Sequence, residues 1–180
     1  VVMMQVVQNA FANTSSSLMI AKVQGSIVDT LMPPLSAGEI LIGYVAGAMA
    51  RGLAVAAVTA AVMFPVTGAG LVHWVWALWF VAAGSAILGL AGFLAAMAAE
   101  KFDQMAAITN FVVTPLSFLS GAFYSVEALP GALKLVAYMN PVFYLIDGLR
   151  FATLGVSDVS PWIGFGVTAL ATAGLSRLAW

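Results

Sequence analysis

The chain is 180 residues long, 63% hydrophobic and only 7% charged, with a net charge of −1 and no cysteine. Soluble domains carry about 25% charged residues, so this composition excludes a water-facing globule and points to an all-α polytopic membrane bundle. The near-neutral balance gives no case for nucleic acid, and one histidine, His73, with no cysteine beside it makes no disulfide, thiol site or metal cluster.

The chain opens Val1-Val2-Met3-Met4, inside an apolar stretch and without the basic start of a signal peptide. The expectation is an N-terminally incomplete domain. Residues 1–21 read as a span with a polar stripe. Gln5, Asn9 and Asn13 recur every four residues and share one helix face, flanked by Gln8 and Ser16. Amides in hydrocarbon need partners. Two readings are open: a buried helix–helix contact, or a stripe lining a substrate path.

Residues 22–39 are the first polar interval. Gly25 is expected to break the helix, and Ser26-Ile-Val-Asp29 has the spacing of a capping box. A short helix with Ile27, Val28, Leu31 and Met32 as apolar positions would end at Pro33-Pro34. Ser36 and Glu39 repeat the capping spacing at the entry of the next helix. Such a short helix is either an interfacial connector or a docking element for a cytosolic partner.

Residues 40–64 read as a span. Gly43 and Gly47 form a GxxxG pair that permits close packing. Arg51 lies well inside the apolar run, where an unpaired charge is unfavourable. It either reaches the headgroups, forms a buried pair, or meets substrate. From Gly52 to Ala99 there is no Asp, Glu, Lys or Arg. That is about twice the ~20 apolar residues needed to cross a bilayer, interrupted by Pro65-Val-Thr-Gly-Ala-Gly70, so a tight hairpin is expected there. The next span, 71–99, begins with His73, Trp74, Trp76 and Trp79, the composition of an interfacial aromatic belt.

Glu100-Lys-Phe-Asp103 forms a polar turn, and 104–126 a further uncharged span broken near Ser120-Gly121. Residues 132–139 and 143–154 can form only short helices, which suit dipping into an interface or packing on span ends. Asp147 and Arg150 are three apart and positioned to pair, for tenths of a kcal/mol if exposed. The last span is 159–178, with Trp162 and Trp180 near its interfaces and Arg177 at its exit. About five spans result. Alternation puts Lys22, Lys101 and Arg177 on one side and Lys134 and Arg150 on the other, and the positive-inside rule makes the first side cytoplasmic.

The order of motifs resembles a known family. Phe118-Leu-Ser-Gly-Ala-Phe-Tyr-Ser-Val-Glu-Ala-Leu-Pro130, Met139-Asn-Pro-Val-Phe-Tyr144 and Asp147-Gly-Leu-Arg150 are similar to the C-terminal part of ABC type 2 export permeases. The bacterial multidrug and polysaccharide exporters are the nearest branch. Asn13-Thr-Ser-Ser-Ser-Leu, Gly25-Ser-Ile-Val-Asp29, Met32-Pro-Pro-Leu-Ser36, Glu39-Ile-Leu-Ile-Gly43 and Arg51-Gly52 resemble that family's second span, coupling helix and third span. The resemblance covers essentially the whole chain, 1–180, as one permease domain, with about five visible spans of a six-span fold. It departs at Lys22-Val-Gln24, where family members tend to carry more charge. That puts in doubt a specific salt bridge to the ATPase.

The resemblance implies a bacterial inner-membrane exporter subunit for a drug, lipid or lipid-linked glycan, working as a homodimer with two ATP-binding cassette subunits. It implies a coupling helix at 25–36, with Gly25, Ser26, Ile27, Asp29 and Leu31 docking on the ATPase. It places an external cap or re-entrant pair at 122–157, with Phe123, Tyr124, Glu127, Asn140, Pro141, Asp147 and Arg150. Gln5, Asn9, Asn13 and Arg51 are the candidate path residues. The sequence has no phosphate-binding loop of its own, so ATP and Mg would sit on the partner. No cofactor, metal or catalytic residue is expected in this chain, and lipids are its other partners. An ion-coupled carrier would need intramembrane carboxylates, which the spans lack away from their ends. An intramembrane enzyme would need a catalytic constellation at depth. A structural subunit that transports nothing is the remaining alternative.

Overall fold

A computed structural model describes residues 1–26, 35–68, 70–121 and 131–180. Every regular element in them is helical: α1 (Val2–Val23), α2 (Ala37–Thr67), α3 (Trp74–Ala98), α4 (Phe102–Ile108), a π-helical turn (Thr109–Val113), α5 (Thr114–Phe118), α6 (Gly131–Met139), α7 (Pro141–Leu154) and α8 (Pro161–Ala179). Two of these, α2 and α3, are long and apolar enough to cross a bilayer by length and composition. At 1.5 Å per residue, the 31-residue α2 is about 46 Å long.

α3 is the hub, and α1, α2, α7 and α8 all pack on it. α1 and α3 run parallel: Met3 lies against Gly84, and Phe11 against Gly92. α2 runs antiparallel between them, so Val6, Gly52 and Ser85 share one level and Thr14, Ala48 and Gly89 the next. Without water there is little hydrophobic drive between helices in lipid, and close packing of small residues takes its place. A Cβ on Gly92 would sit 2.6 Å from the Phe11 carbonyl oxygen, so only glycine allows this approach. A Cβ on Gly52 would collide with Ser85 Oγ at 1.9 Å.

This contact row corrects the GxxxG expectation. Gly43 has open space beside it, and Gly47 has only the Asn13 side chain, at 3.8 Å. The close approach runs instead through Ala48 and Gly52, one step round the helix, because Ser85 and Gly89 supply the matching gaps on α3.

The helix ends follow local chemistry. Ser36 and Glu39 close a full capping box, with Glu39 Oε2 accepting the Ser36 N–H at 2.7 Å and Ser36 Oγ accepting the Glu39 N–H at 3.3 Å. Pro65 does not end α2 as the hairpin reading expects. The helix continues to Thr67 and stops at Gly68, whose φ of 68° is left-handed. Proline's φ is compatible with a helix, and near the end only one backbone bond is lost.

Of the expected span 104–126 the structure describes the part to Gly121: α4, the π turn and α5 are continuous from Phe102 to Phe118, and Pro115 lies two residues past the π turn. The missing N–H of a mid-helix proline must be absorbed, and a wider turn just before it does so. Thr114 Oγ1 donates to the Thr109 carbonyl there, at 3.0 Å.

Buried hydroxyls are satisfied within their own helices. Thr14, Ser85, Ser117, Ser120 and Thr168 each donate to the carbonyl four residues back. Among the described residues, no buried side-chain polar atom lacks a partner.

Candidate functional site

Three groups of polar residues stand out in this apolar bundle: one halfway along α2, one at the His73 end and one at the Lys22 end.

The first is the stripe on α1. Its buried face is Met3, Val6, Val7, Ala10, Phe11, Leu18 and Met19. Gln5, Asn9, Asn13 and Ser16 lie on the other side, exposed or half-exposed in the isolated chain. Of the two open readings, burial against another helix of this chain does not hold for Gln5, which is exposed. Asn9 Nδ2 donates to the Gln5 carbonyl at 3.0 Å. Asn13 reaches across to α2, where its Oδ1 accepts from Arg51 Nη1 at 3.2 Å. Arg51 lies fourteen residues after Ala37 and sixteen before Thr67, so it is at the middle of α2. It is exposed, and Asn13 accepts from one of its five N–H donors.

At the His73 end α6 packs on α7, and α7 packs on α3. Asn140 is buried and caps α7, its Oδ1 accepting from the Val142 N–H at 3.0 Å. Its Nδ2 donates to Leu116 O and Ser120 Oγ, both at 2.8 Å. Pro141 takes the first position of α7, where its missing N–H is harmless. From there α7 runs beside α3, with Leu145 against Gly84 and Gly148 against Phe80. It emerges where Ala152 O accepts the N–H groups of Val72 and His73. Gly84 is ten residues down α3 from Trp74, about 15 Å. α7 therefore packs along α3 from Gly84 to Phe80. His73 stacks on Phe151 at 4.9 Å, as a helix-end residue. Trp76 and Trp79 are half-buried: Trp76 meets Trp162 edge-on at 5.0 Å and Trp79 packs on Phe165 at 4.2 Å. Trp74 is exposed.

Asp147 and Arg150 pair as expected, at 3.6 Å, but not as an exposed couple. Asp147 is only 4% exposed. Its two oxygens accept the N–H groups of Asp158 and Val159, at 2.8 and 3.0 Å. Arg150 lies closer to Asp158, at 3.2 Å, and donates to the Gly121 carbonyl at 2.9 Å. One residue pair thus ties α7 to the end of the α4–α5 rod and to the loop entering α8. Burial pushes the Asp147 carboxyl above its usual range, against the pull of the two N–H donors and of Arg150. Asp158 and Gly121 have no sequence signal as partners, because both are loop residues distant along the chain. Between α1, α2, α3 and α7 there is an apolar cleft of about 320 Å³, lined by Val2, Leu53, Phe64, Trp74, Leu78 and Leu149 among others.

At the Lys22 end, α1 stops at Val23 and Gly25 turns the chain with a φ of 74°. Ser26 closes that turn. Ile27, Asp29 and Leu31 lie outside the described residues, as do Phe123, Tyr124 and Glu127. Lys22 Nζ donates to Ala96 O at 2.7 Å, Met97 O at 2.8 Å and Ala99 O at 3.2 Å. Sequence reasoning gave Lys22 no partner, since backbone carbonyls carry no residue signature.

Comparison with known proteins places this architecture. A family model described as ABC-2 type transporter matches residues 1–154. The chain is 34% identical to an inner membrane transport permease, YadH, of Escherichia coli K12, over 99% of this chain and 70% of that protein. It is 30% identical to nodulation protein J of Rhizobium leguminosarum biovar viciae, over 78% of this chain and 54% of that one. No solved structure matches. The family's members are membrane subunits of transporters whose ATPase is a separate chain. An all-helical bundle with a charge-free central helix, matched along nearly its whole length to an inner-membrane permease, belongs to the ABC-2 type transporter family and is a multi-pass inner-membrane protein.

Proposed function

We propose that this chain is the membrane-spanning subunit of an ATP-driven exporter that moves a hydrophobic or amphipathic substrate out of the cytoplasm. Two copies work with two ATP-binding subunits, and substrate passes between the copies along the face that carries Gln5, Asn9, Asn13 and Arg51. The spans are α1, α2, α3, the α4–α5 rod and α8. The Lys22 end is cytoplasmic and the segment 25–36 docks on the ATPase. The α6–α7 pair closes the outer end, with Asn140, Pro141, Asp147 and Arg150 holding it in place.

One observation carries the path assignment. Arg51 sits at the middle of a 31-residue apolar helix, exposed, with one amide partner. A guanidinium at that depth does not face acyl chains. The same face of α1 carries three amides and a serine, so the whole strip asks for water, a polar ligand or a second protein surface. The apolar cleft on the other side of α2 suits the tail of an amphipathic molecule.

The test uses the full-length permease expressed with its ATPase. The two are expected to co-purify, and inverted vesicles to take up a fluorescent lipid or a lipophilic dye only with hydrolysable ATP. Replacing Asn9 and Asn13 by Leu is expected to lower uptake at least about tenfold at unchanged protein level. Purification without any nucleotide-binding subunit, or the same uptake without ATP, overturns the reading. Ile27→Ala with Asp29→Ala is expected to uncouple ATP hydrolysis from uptake. Unchanged coupling removes the docking assignment alone.

A further inference from the structure

We propose that Lys22 is a positioning residue that transmits motion of the ATPase-facing segment to the central helix α3. The inference rests on the reading of 25–36 as the docking segment, and on a geometry independent of it.

The last four carbonyls of a helix have no partner within the helix, and the end carries a partial negative charge. At the end of α3, three carbonyls of the stretch 96–99 converge on one ammonium, that of Lys22. An ammonium has three donors and no acceptor, so these contacts account for all of them. Glu100 and Asp103, the carboxylates on the adjoining turn, form no ion pair with Lys22, so the ammonium is held by the backbone at the end of α3.

Its position along the chain gives the contact a mechanical meaning. Lys22 lies in the last turn of α1 and three residues before Gly25, where the backbone adopts a left-handed φ of 74°. The Gly25 N–H donates back to the Lys22 carbonyl at 3.3 Å. The chain leaving α1 thus passes through a left-handed glycine three residues beyond Lys22, and Lys22 is bonded to the end of α3. α3 in turn contacts α1, α2, α7 and α8. A shift at 96–99 reaches both the strip with Arg51 and the helix α7. Lys22 is hence spent inside the permease and is not free to bridge to the ATPase.

Hydrogen–deuterium exchange of the complete transporter in nanodiscs, with and without trapped nucleotide, reads this directly. In the unsubstituted complex, nucleotide is expected to change exchange in both 25–36 and 96–101. Lys22→Met is expected to keep the first response and lose the second, while Lys22→Arg keeps both. A purely structural cap would raise basal exchange at 96–101 yet leave the nucleotide-dependent change intact, and that result overturns the inference. If Lys22→Met does not assemble, Lys22→Gln, with two donors and no charge, gives the same comparison. Absence of any nucleotide response at 25–36 in the unsubstituted complex defeats the docking reading instead. The two failures are therefore distinct.

Discussion

Asn13 and Arg51 are a polar couple at the middle of an apolar helix pair, and their dependence on each other is measurable. Removing Asn13 leaves Arg51 without its partner among the described residues. A hydrogen bond to a charged group contributes about 1.5–3 kcal/mol, and the low end applies to the exposed Arg51. Asn13→Leu is expected to lower stability by that amount, and Asn13→Leu with Arg51→Met to lower it less. Unfolding in nanodiscs followed by tryptophan fluorescence checks this, and strictly additive effects would show that the pair is not coupled. Both residues were legible in the sequence as polar intrusions. Their contact was not, because it depends on how α1 and α2 are rotated about their axes.

Among elements, the close packing of α1, α2 and α3 decides the architecture. The stretch from Gly52 to Ala99 reads in sequence as a uniform apolar filler, yet it holds several of the closest glycine approaches among the described residues. Gly92→Ala puts a methyl against the Phe11 backbone, which cannot retreat as a side chain can. A loss of about 1–3 kcal/mol is expected from such overpacking. Gly43→Ala has open space beside it and is expected to be neutral or to stabilise α2 by up to about 1 kcal/mol through helix propensity. Parallel unfolding measurements on the two variants test the assignment. A destabilising Gly43→Ala would mean that α2 presents its other face, and a neutral Gly92→Ala that α1 and α3 do not approach this closely. The sequence showed many glycines; only the relative rotation of the helices told which ones touch.

For the whole molecule, the Asp147–Arg150–Asp158 network joins parts that are far apart in the chain. Arg150 connects the end of the α4–α5 rod at Gly121 with the loop before α8. Removing Asp147 leaves Arg150 its closer partner Asp158, at 3.2 Å. Asp147→Ala strips the N–H groups of Asp158 and Val159 of their acceptor. It is expected to cost at least about 2 kcal/mol and to expose the loop 155–160 to protease before the bundle unfolds. Limited proteolysis alongside a thermal melt checks both, and wild-type resistance of that loop would show that the network is incidental. Since α7 packs on α3, loosening it is also expected to reach the central helix.

The sequence by itself determined that the chain lives in a membrane, that it is helical, where most helices begin and end, and which family it joins. These follow from local properties: charge density, apolar run length, capping residues and motif order. Tertiary structure decided that α7 packs on α3, that Trp76 meets Trp162 and Trp79 meets Phe165, that Ala48 and Gly52 are the contact row, and that Lys22 closes the end of α3. Each depends on helix rotation and on backbone atoms as partners. Backbone carbonyls and N–H groups are the same in every residue, so no pattern of side chains along the chain announces them.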